Sequence, residues 1–258
     1  MRSMAVLLLL LLSVAANAQE QSLKVFPVLY QQTSAEYRAL CYQAFNLAAL
    51  RLNEIPKKKF RKEKLAIITD LDETVLDNSF IEAQLIKDGK EFSNALWKNW
   101  TDKSAATGVP GAVEFFQKAK EKGVTIFYIS NRDAGALQST LANLKKLGLP
   151  DADTAHILLQ GSSSSKETRR QIVEAQYNVV MLLGDNLIDF MNVFEKKSID
   201  ERFAETDARI EEWGKKFIVL PNSIYGEWEN ALYNYERGKL TEAQKDAMRK
   251  GLLKGYVY

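Results

Sequence analysis

Five short, nearly unbroken apolar runs decide what this chain can fold into: Leu65 to Thr69, Thr125 to Ile129, His156 to Leu159, Val179 to Leu183 and Phe217 to Leu220. Runs of this length without polar alternation belong to strands covered on both faces. The stretches between them carry helix punctuation. Pro110 to Lys122 starts on proline and is followed by Gly123, and Ala134 to Leu147 is followed by Gly148. Strands alternating with helices imply an α/β fold with a doubly wound parallel sheet. In such a sheet chemistry gathers beyond the carboxyl ends of the strands, so the residues just after each run are the candidates.

The rest of the chain bounds the problem further. With 258 residues, 46% of them hydrophobic, it can bury one sizeable core and carry a smaller, mostly helical subdomain. Its 35 basic and 33 acidic residues are interspersed and leave a formal charge of +2. No single-sign field exists to hold a nucleic-acid polymer or an acidic membrane. The first residues read as an export leader: Arg2, an apolar run from Met4 to Leu12, then Ala16-Asn17-Ala18. Cleavage near Ala18 would leave an exported, periplasmic or secreted protein beginning at Gln19. The apolar run is shorter than the roughly 20 residues a bilayer core demands, so no stable membrane anchor is expected. Residues 1–18 are thus a leader and 19–258 a single domain. Thr33 and Glu36 have capping-box spacing ahead of a long helix over Tyr37 to Leu52. The stretch from Phe80 to Thr107 is too long for a bare loop and is expected to cover the site, about 80–107, together with the N- and C-terminal segments.

After the first strand comes Asp70-Leu71-Asp72-Glu73-Thr74. In extended chain Asp70 and Asp72 project to one side, where two carboxylates repel by about 4 kcal/mol at 4 Å and an effective dielectric near 20. A divalent cation or a shared proton is needed between them. By chance alone, roughly one chain in twenty of this length carries Asp-x-Asp-x-Thr, so placement matters more than the motif. Ser130-Asn131-Arg132 follows the second strand and offers a hydroxyl and backbone N–H groups to phosphate oxygens, or an ordinary polar turn. Lys166, at a helix start after the serine tract, offers a cation to the same anion. Asp185 and Asp189 follow the fourth run and make a second carboxylate pair. Oxygen ligands around a phosphate-bearing substrate point to Mg²⁺.

These residues resemble the four motifs of the haloacid dehalogenase (HAD) superfamily: Asp70-x-Asp72-x-Thr74, Ser130, Lys166, and Asp185 with Asp189. The string Ile67-Ile68-Thr69-Asp70-Leu71-Asp72-Glu73-Thr74-Val75-Leu76-Asp77-Asn78 and the string Gly184-Asp185-Asn186-Leu187-x-Asp189-Phe190 resemble the signatures of class C acid phosphatases, which include bacterial lipoprotein 5′-nucleotidases. Val109-Pro110-Gly111-Ala112 and Leu220-Pro221-Asn222-Ser223-x-Tyr225-Gly226-x-Trp228-Glu229 are also similar. The resemblance implies a HAD-like, Rossmann-like doubly wound sheet with a helical cap, and a Mg²⁺-dependent acid phosphatase acting on small-molecule phosphomonoesters, nucleoside 5′-monophosphates among them. It assigns Asp70 as nucleophile and Asp72 as acid and base. Asp70, the Asp72 backbone carbonyl, Asp185 and Asp189 are to hold the metal, Ser130, Asn131 and Lys166 the phosphate, while Thr74 steadies the loop. Trp97 and Tyr225 fall at base-sandwiching positions, with Phe80 as a further wall. Trp100 and Trp228 are expected in the core. The lipoprotein members' acylated cysteine is missing here, and a homodimer is a family-level expectation.

Other phosphatase chemistries lack their residues. His156 is the single histidine and Cys41 the single cysteine. His156 reads as a structural strand residue, and Cys41 lies in a helical pattern as a small core residue. Two further readings remain at this stage: a broad-specificity or sugar- or cofactor-phosphate phosphatase, and a catalytically silent binding or storage protein on the same scaffold.

Overall fold

A computed structural model describes residues 23–256, so the expected leader lies outside the described residues. Residues 23–33 form a first helix, α1. After it the chain runs α2 (Ala35–Glu54), α3 (Lys57–Lys62), β1 (Leu65–Thr69), β2 (Leu76–Asp77), α4 (Ser79–Asp88), α5 (Asn94–Asp102), β3 (Thr107–Gly108), α6 (Ala112–Glu121), β4 (Thr125–Asp133), α7 (Leu137–Lys146), β5 (Ile157–Gln160), α8 (Glu167–Glu174), β6 (Asn178–Gly184), α9 (Ile199–Asp207), β7 (Phe217–Val219), α10 (Glu227–Leu232) and α11 (Glu242–Leu252).

The five apolar runs are the five strands of one sheet, ordered β5-β4-β1-β6-β7, and every pairing is parallel. The chain winds outward from β1 through β4 to β5, then crosses back to β6 and on to β7. Strand order therefore reverses between β1 and β6, the place where an open sheet leaves a crevice at its carboxyl edge. Alternate side chains explain why the runs are apolar throughout. Leu65, Ile67, Ile126, Tyr128, Met181 and Leu183 face a core built with α2, α6 and α7. Ala66, Ile68, Phe127, Ile129 and Leu182 face a second core that includes Val173 of α8 and Phe190. Phe116 on α6 is fully buried, and truncating such a ring costs about 3–5 kcal/mol.

Two expectations shift in detail. Ser34, not Thr33, caps α2, its side chain accepting from the Tyr37 N–H; Thr33 closes α1 and donates its hydroxyl to Leu29 O. β4 does not stop at Ile129 but runs on through Ser130-Asn131-Arg132-Asp133, so this polar stretch is extended chain rather than a turn. The stretch after β1 is pinched off by an antiparallel ribbon pairing Leu76 with Gly108 and Asp77 with Thr107, and between its strands stand α4 and α5. Asn143 of α7 holds that segment's end, accepting from the Ala106 N–H at 3.0 Å and donating to Ala106 O at 2.9 Å. Among the described residues no helix is long and apolar enough to cross a membrane.

Candidate active site

β1 and β6 end side by side, and their next residues meet. The Asp70 N–H donates to Leu183 O at 2.9 Å, which seats Asp70 against β6 while Asp185 leaves β6 one residue after Gly184. Asp70, Asp185 and Asp189 place carboxylate oxygens within 4.8 Å of one another. The turn that returns Asp189 to the cluster is tight. The Asn186 N–H donates to Asp189 Oδ2 at 3.0 Å, and a Cβ on Gly184 would lie 2.5 Å from the Asp189 side chain. Only glycine permits that approach.

Lys166 is the cation of this cluster. Standing just before α8, it is buried and donates to Asp70 Oδ1 and, at 2.6 Å, to Asp189 Oδ1. Asp185 is held by neutral donors instead: Thr74 Oγ1 at 3.1 Å and Asn222 Nδ2 at 2.8 Å. Burial and the charges of Asp189, Asp185 and Asp72 push the Asp70 carboxyl above its ordinary range, against the pull of Lys166. Burial, then the Asp189 charge, lifts Asp185 to about 7. Burial opposes the Lys166 ammonium, but Asp189 and Asp70 outweigh it and hold the proton on. Three clustered carboxylates with one ammonium, which reaches only two of them, leave surplus negative charge among oxygen donors, which fits a hard divalent cation.

Asp70 and Asp72 do not share partners as the extended-chain reading implied. Asp72 turns to Arg132, whose Nη2 and Nε donate to Asp72 Oδ1 at 2.7 and 3.0 Å, with Nε also 3.1 Å from Oδ2. Asn78 Nδ2 adds 2.8 Å to Oδ1, and Ser130 Oγ adds 3.3 Å to Oδ2. Each motif aspartate thus has its own resident cation. Burial works against the Arg132 guanidinium, yet Asp72 holds its proton on all the more firmly.

The structure brings Asp70, Asp72, Thr74, Ser130, Lys166, Asp185 and Asp189 together. Asn131 is the exception: period-two alternation puts it on the exposed side of β4, where its Oδ1 accepts from Arg169 Nη2 at 2.6 Å. Trp97 on α5 lies against the Arg132 guanidinium, 5.7 Å from ring centre to carbon. Tyr225 is tied by its hydroxyl to Glu73 Oε2. Trp228 departs from the core-packing expectation, standing 41% exposed beside the Gly226 turn. Trp100 packs against the core and donates its indole N–H to Asn78 Oδ1 at 2.8 Å. His156 sits at the opposite, amino-terminal end of β5, its Nδ1 2.8 Å from Asp153 Oδ1 and its ring 5.0 Å from that of Phe127. Cys41 is buried in α2 as a free thiol.

Several residues that build the site carry no role in the sequence reading: Arg132, Asn78, Glu73, Arg169 and Asn222. Glu73 has a left-handed backbone (φ +61°) and is fully buried. Its carboxylate accepts from the Asn78 N–H at 2.8 Å, and burial and then the Asp72 charge push its carboxyl well above the usual range. Arg132 had a signal: on a continuing strand it shares Ser130's side.

A family model described as HAD superfamily, subfamily IIIB (Acid phosphatase) matches residues 12–228. Among solved structures, the class C acid phosphatase from Bacillus anthracis superposes at a TM-score of 0.86 and 39% identity, covering 94% of this chain and 99% of that one. A structure of the Bacillus anthracis class C acid phosphatase with tungstate bound gives 0.85 and 39%, covering 92% and 99%. The Stem 31 kDa glycoprotein of Glycine max is 26% identical over 130 residues, 48% of this chain and 51% of that relative, so the chain spans about half the length of the curated relatives it matches. With the family model running through all five sheet strands and the whole carboxylate cluster, the chain belongs to the acid phosphatases of HAD subfamily IIIB, a family of phosphoric monoester hydrolases.

Proposed function

We propose that the protein is an exported, Mg²⁺-dependent acid phosphatase that hydrolyses nucleoside 5′-monophosphates through an aspartyl-phosphate at Asp70. The observation that carries this reading is the cluster of Asp70, Asp185 and Asp189, with Lys166 bonded to the first and last, at the reversal of strand order. An Asp70 oxygen attacks phosphorus, and the ester P–O bond breaks. The departing alkoxide takes a proton from the Asp72 carboxyl, leaving the phosphoryl group on Asp70. In the second step water gives a proton to Asp72 and attacks phosphorus. The P–O bond to Asp70 breaks, releasing inorganic phosphate, and Asp72 is again protonated. Lys166 and Ser130 stand where the non-bridging phosphoryl oxygens would come, and stabilise the charge spread over them.

HAD phosphatases use a divalent metal, and here Asp70, Asp185 and Asp189 would hold it, with the Asp72 backbone as a further donor. When bound, Mg²⁺ supplies electrostatic screening between these carboxylates and the substrate phosphate. Tungstate on the Bacillus anthracis relative, a tetrahedral oxyanion like phosphate, supports an oxyanion-binding site. Residues 80–107, carrying α4 and α5, act as a cap over the site, and the leader pattern at 1–18 supports export.

A nucleotide rests on the aromatic residues: Trp97, Tyr225 and the half-exposed Phe80, which stacks on Trp100 at 6.2 Å. One observation favours a broader substrate range: the Trp97 ring already covers Arg132 and the Tyr225 hydroxyl already serves Glu73. Phosphate release from 5′-mononucleotides, 3′-mononucleotides and an aryl phosphate, with and without Mg²⁺, tests both. A 5′-nucleotide preference that requires Mg²⁺ and vanishes in Asp70→Asn is expected. Activity surviving in Asp70→Asn would sink the nucleophile, and equal turnover of all three esters would leave the broad reading.

A further inference from the structure

We propose that helix α5 is a clamp on the acid–base residue: Trp100, acting through Asn78, and Trp97, acting through Arg132, fix the direction of the Asp72 carboxylate. The proposal rests on the reading that Asp72 exchanges protons with the leaving group. Asp72 Oδ1 accepts from two residues, from Asn78 Nδ2 at 2.8 Å and from Arg132 Nη2 and Nε at 2.7 and 3.0 Å, so Asn78 and Arg132 are its two donors. Both donors are buried, whereas the Asp72 side chain keeps 17% of its surface open. The carboxylate is therefore held from the dry side and presented to the wet one.

What orients each donor is a tryptophan. An indole N–H can only donate, so the Trp100 contact at 2.8 Å demands the oxygen of the Asn78 amide. The amide nitrogen then has to face Asp72. Flipping the amide would set N–H against N–H at one end and oxygen against carboxylate at the other. One turn earlier on the same helix, the Trp97 ring lies under the Arg132 guanidinium carbon, 5.7 Å from ring centre to carbon. The guanidinium N–H groups go to Asp72 and to Thr140 Oγ1, 3.1 Å from Nη1. Residues three apart share a helix face, so α5 reaches both holders of Asp72 at once. It is anchored in turn, since Ser104 just beyond it donates to Ser139 O at 2.8 Å. Trp97 and Trp100 are positioning residues in this scheme, acting through Arg132 and Asn78.

The test is the dependence of kcat/KM on the leaving group, which a merely structural role would not change. An alkyl alcohol leaves only with a proton from Asp72, whereas p-nitrophenolate leaves without one. Asp72→Asn is the reference and should lower kcat/KM for glycerol 2-phosphate by about 10²- to 10⁴-fold, and far less for p-nitrophenyl phosphate. Trp100→Phe keeps the ring and removes the N–H. It should lower the glycerol phosphate value by about 3- to 10-fold, with the p-nitrophenyl value held within about 2-fold. Trp97→Leu should lower the glycerol phosphate value in the same direction while holding acetyl phosphate, which has no ring to stack on Trp97 and loses acetate without a proton, within about 2-fold; it supplies the test if Trp100→Phe does not fold. Equal losses on the two substrates in the tryptophan variants, beside a selective loss in Asp72→Asn, would overturn the clamp and leave the acid–base assignment standing. An unselective loss in Asp72→Asn would overturn that assignment and the clamp with it.

Discussion

Replacing Lys166 with methionine tests the charge balance on which the site depends. Methionine has similar volume but no charge, so Asp70 and Asp189 lose the ammonium they share. The cluster's carboxylate oxygens lie within 4.8 Å of one another, and two unit charges at that distance repel by about 3.5 kcal/mol at an effective dielectric near 20. The protein has an escape, which is to take up one more proton. Holding a proton at pH 7 on a carboxyl whose ordinary value is 3.8 costs about 4.4 kcal/mol, at about 1.4 kcal/mol per pH unit. That figure caps the loss. We expect Lys166→Met to lose about 4 kcal/mol of folding stability at pH 7 in the presence of a chelator, within the range for removing one partner of a buried pair.

The same reasoning fixes how the deficit changes. At pH 5 the proton costs only about 1.6 kcal/mol, so the gap between variant and native protein should shrink by more than half. Urea unfolding of both proteins at the two pH values, in chelator, measures it. Saturating Mg²⁺ should also narrow the gap at pH 7, because a cation then takes the place of the ammonium. A deficit equal at pH 5 and pH 7 and indifferent to metal would mean that Lys166 matters through packing, and the electrostatic account would be refuted.

Asp185→Asn should weaken divalent-metal binding at least about 10-fold, read by calorimetry, while far-UV circular dichroism stays native. In the unmutated protein, metal competes with a proton on Asp185. With a value near 7 in the fold against 3.8 ordinarily, that proton favours the metal-free fold fully below about pH 4, and the benefit is lost as pH rises through 7. Metal affinity should therefore rise with pH through 7, with proton release seen in buffers of different ionisation enthalpy; binding without proton release would contradict the raised value. Gly184→Ala should cost turnover through Asp189, since the new methyl group meets that side chain at 2.5 Å; full activity in this variant would show that the turn has slack. Asp70→Asn should abolish turnover, by at least about 10⁴-fold, with an unchanged melting profile, and a smaller loss would place the nucleophile elsewhere.

The parts of the site that could be read from the sequence are those fixed by strand ends. Asp70 and Asp185 follow apolar runs, and in a doubly wound sheet the residues leaving adjacent strands must converge; burial on both faces made those runs visible. What could not be read depends on where polar residues continue a strand and on pairings between distant segments. Ser130-Asn131-Arg132 has turn composition, and local preference ends the strand at Ile129. The pairing of Arg132 with Asp72 outweighs that preference and draws the chain out as extended β4. Glu73 is a charged residue after a strand, a position that favours solvent, yet Asn78 and Tyr225 enclose it from five residues and 152 residues away. The same limit explains Thr33 and Ser34: both are hydroxyl residues with cap chemistry, and only the end of the preceding helix decides between them. The misread partners of Asp72 have one cause. A pair of adjacent carboxylates read alone needs a proton or a metal to coexist, but a fold can instead turn them apart and give each a buried cation, Lys166 for Asp70 and Arg132 for Asp72. That division leaves the Asp72 side chain outside the carboxylate cluster with 17% of its surface open, so the residue read as acid and base is the motif aspartate that a leaving group can reach.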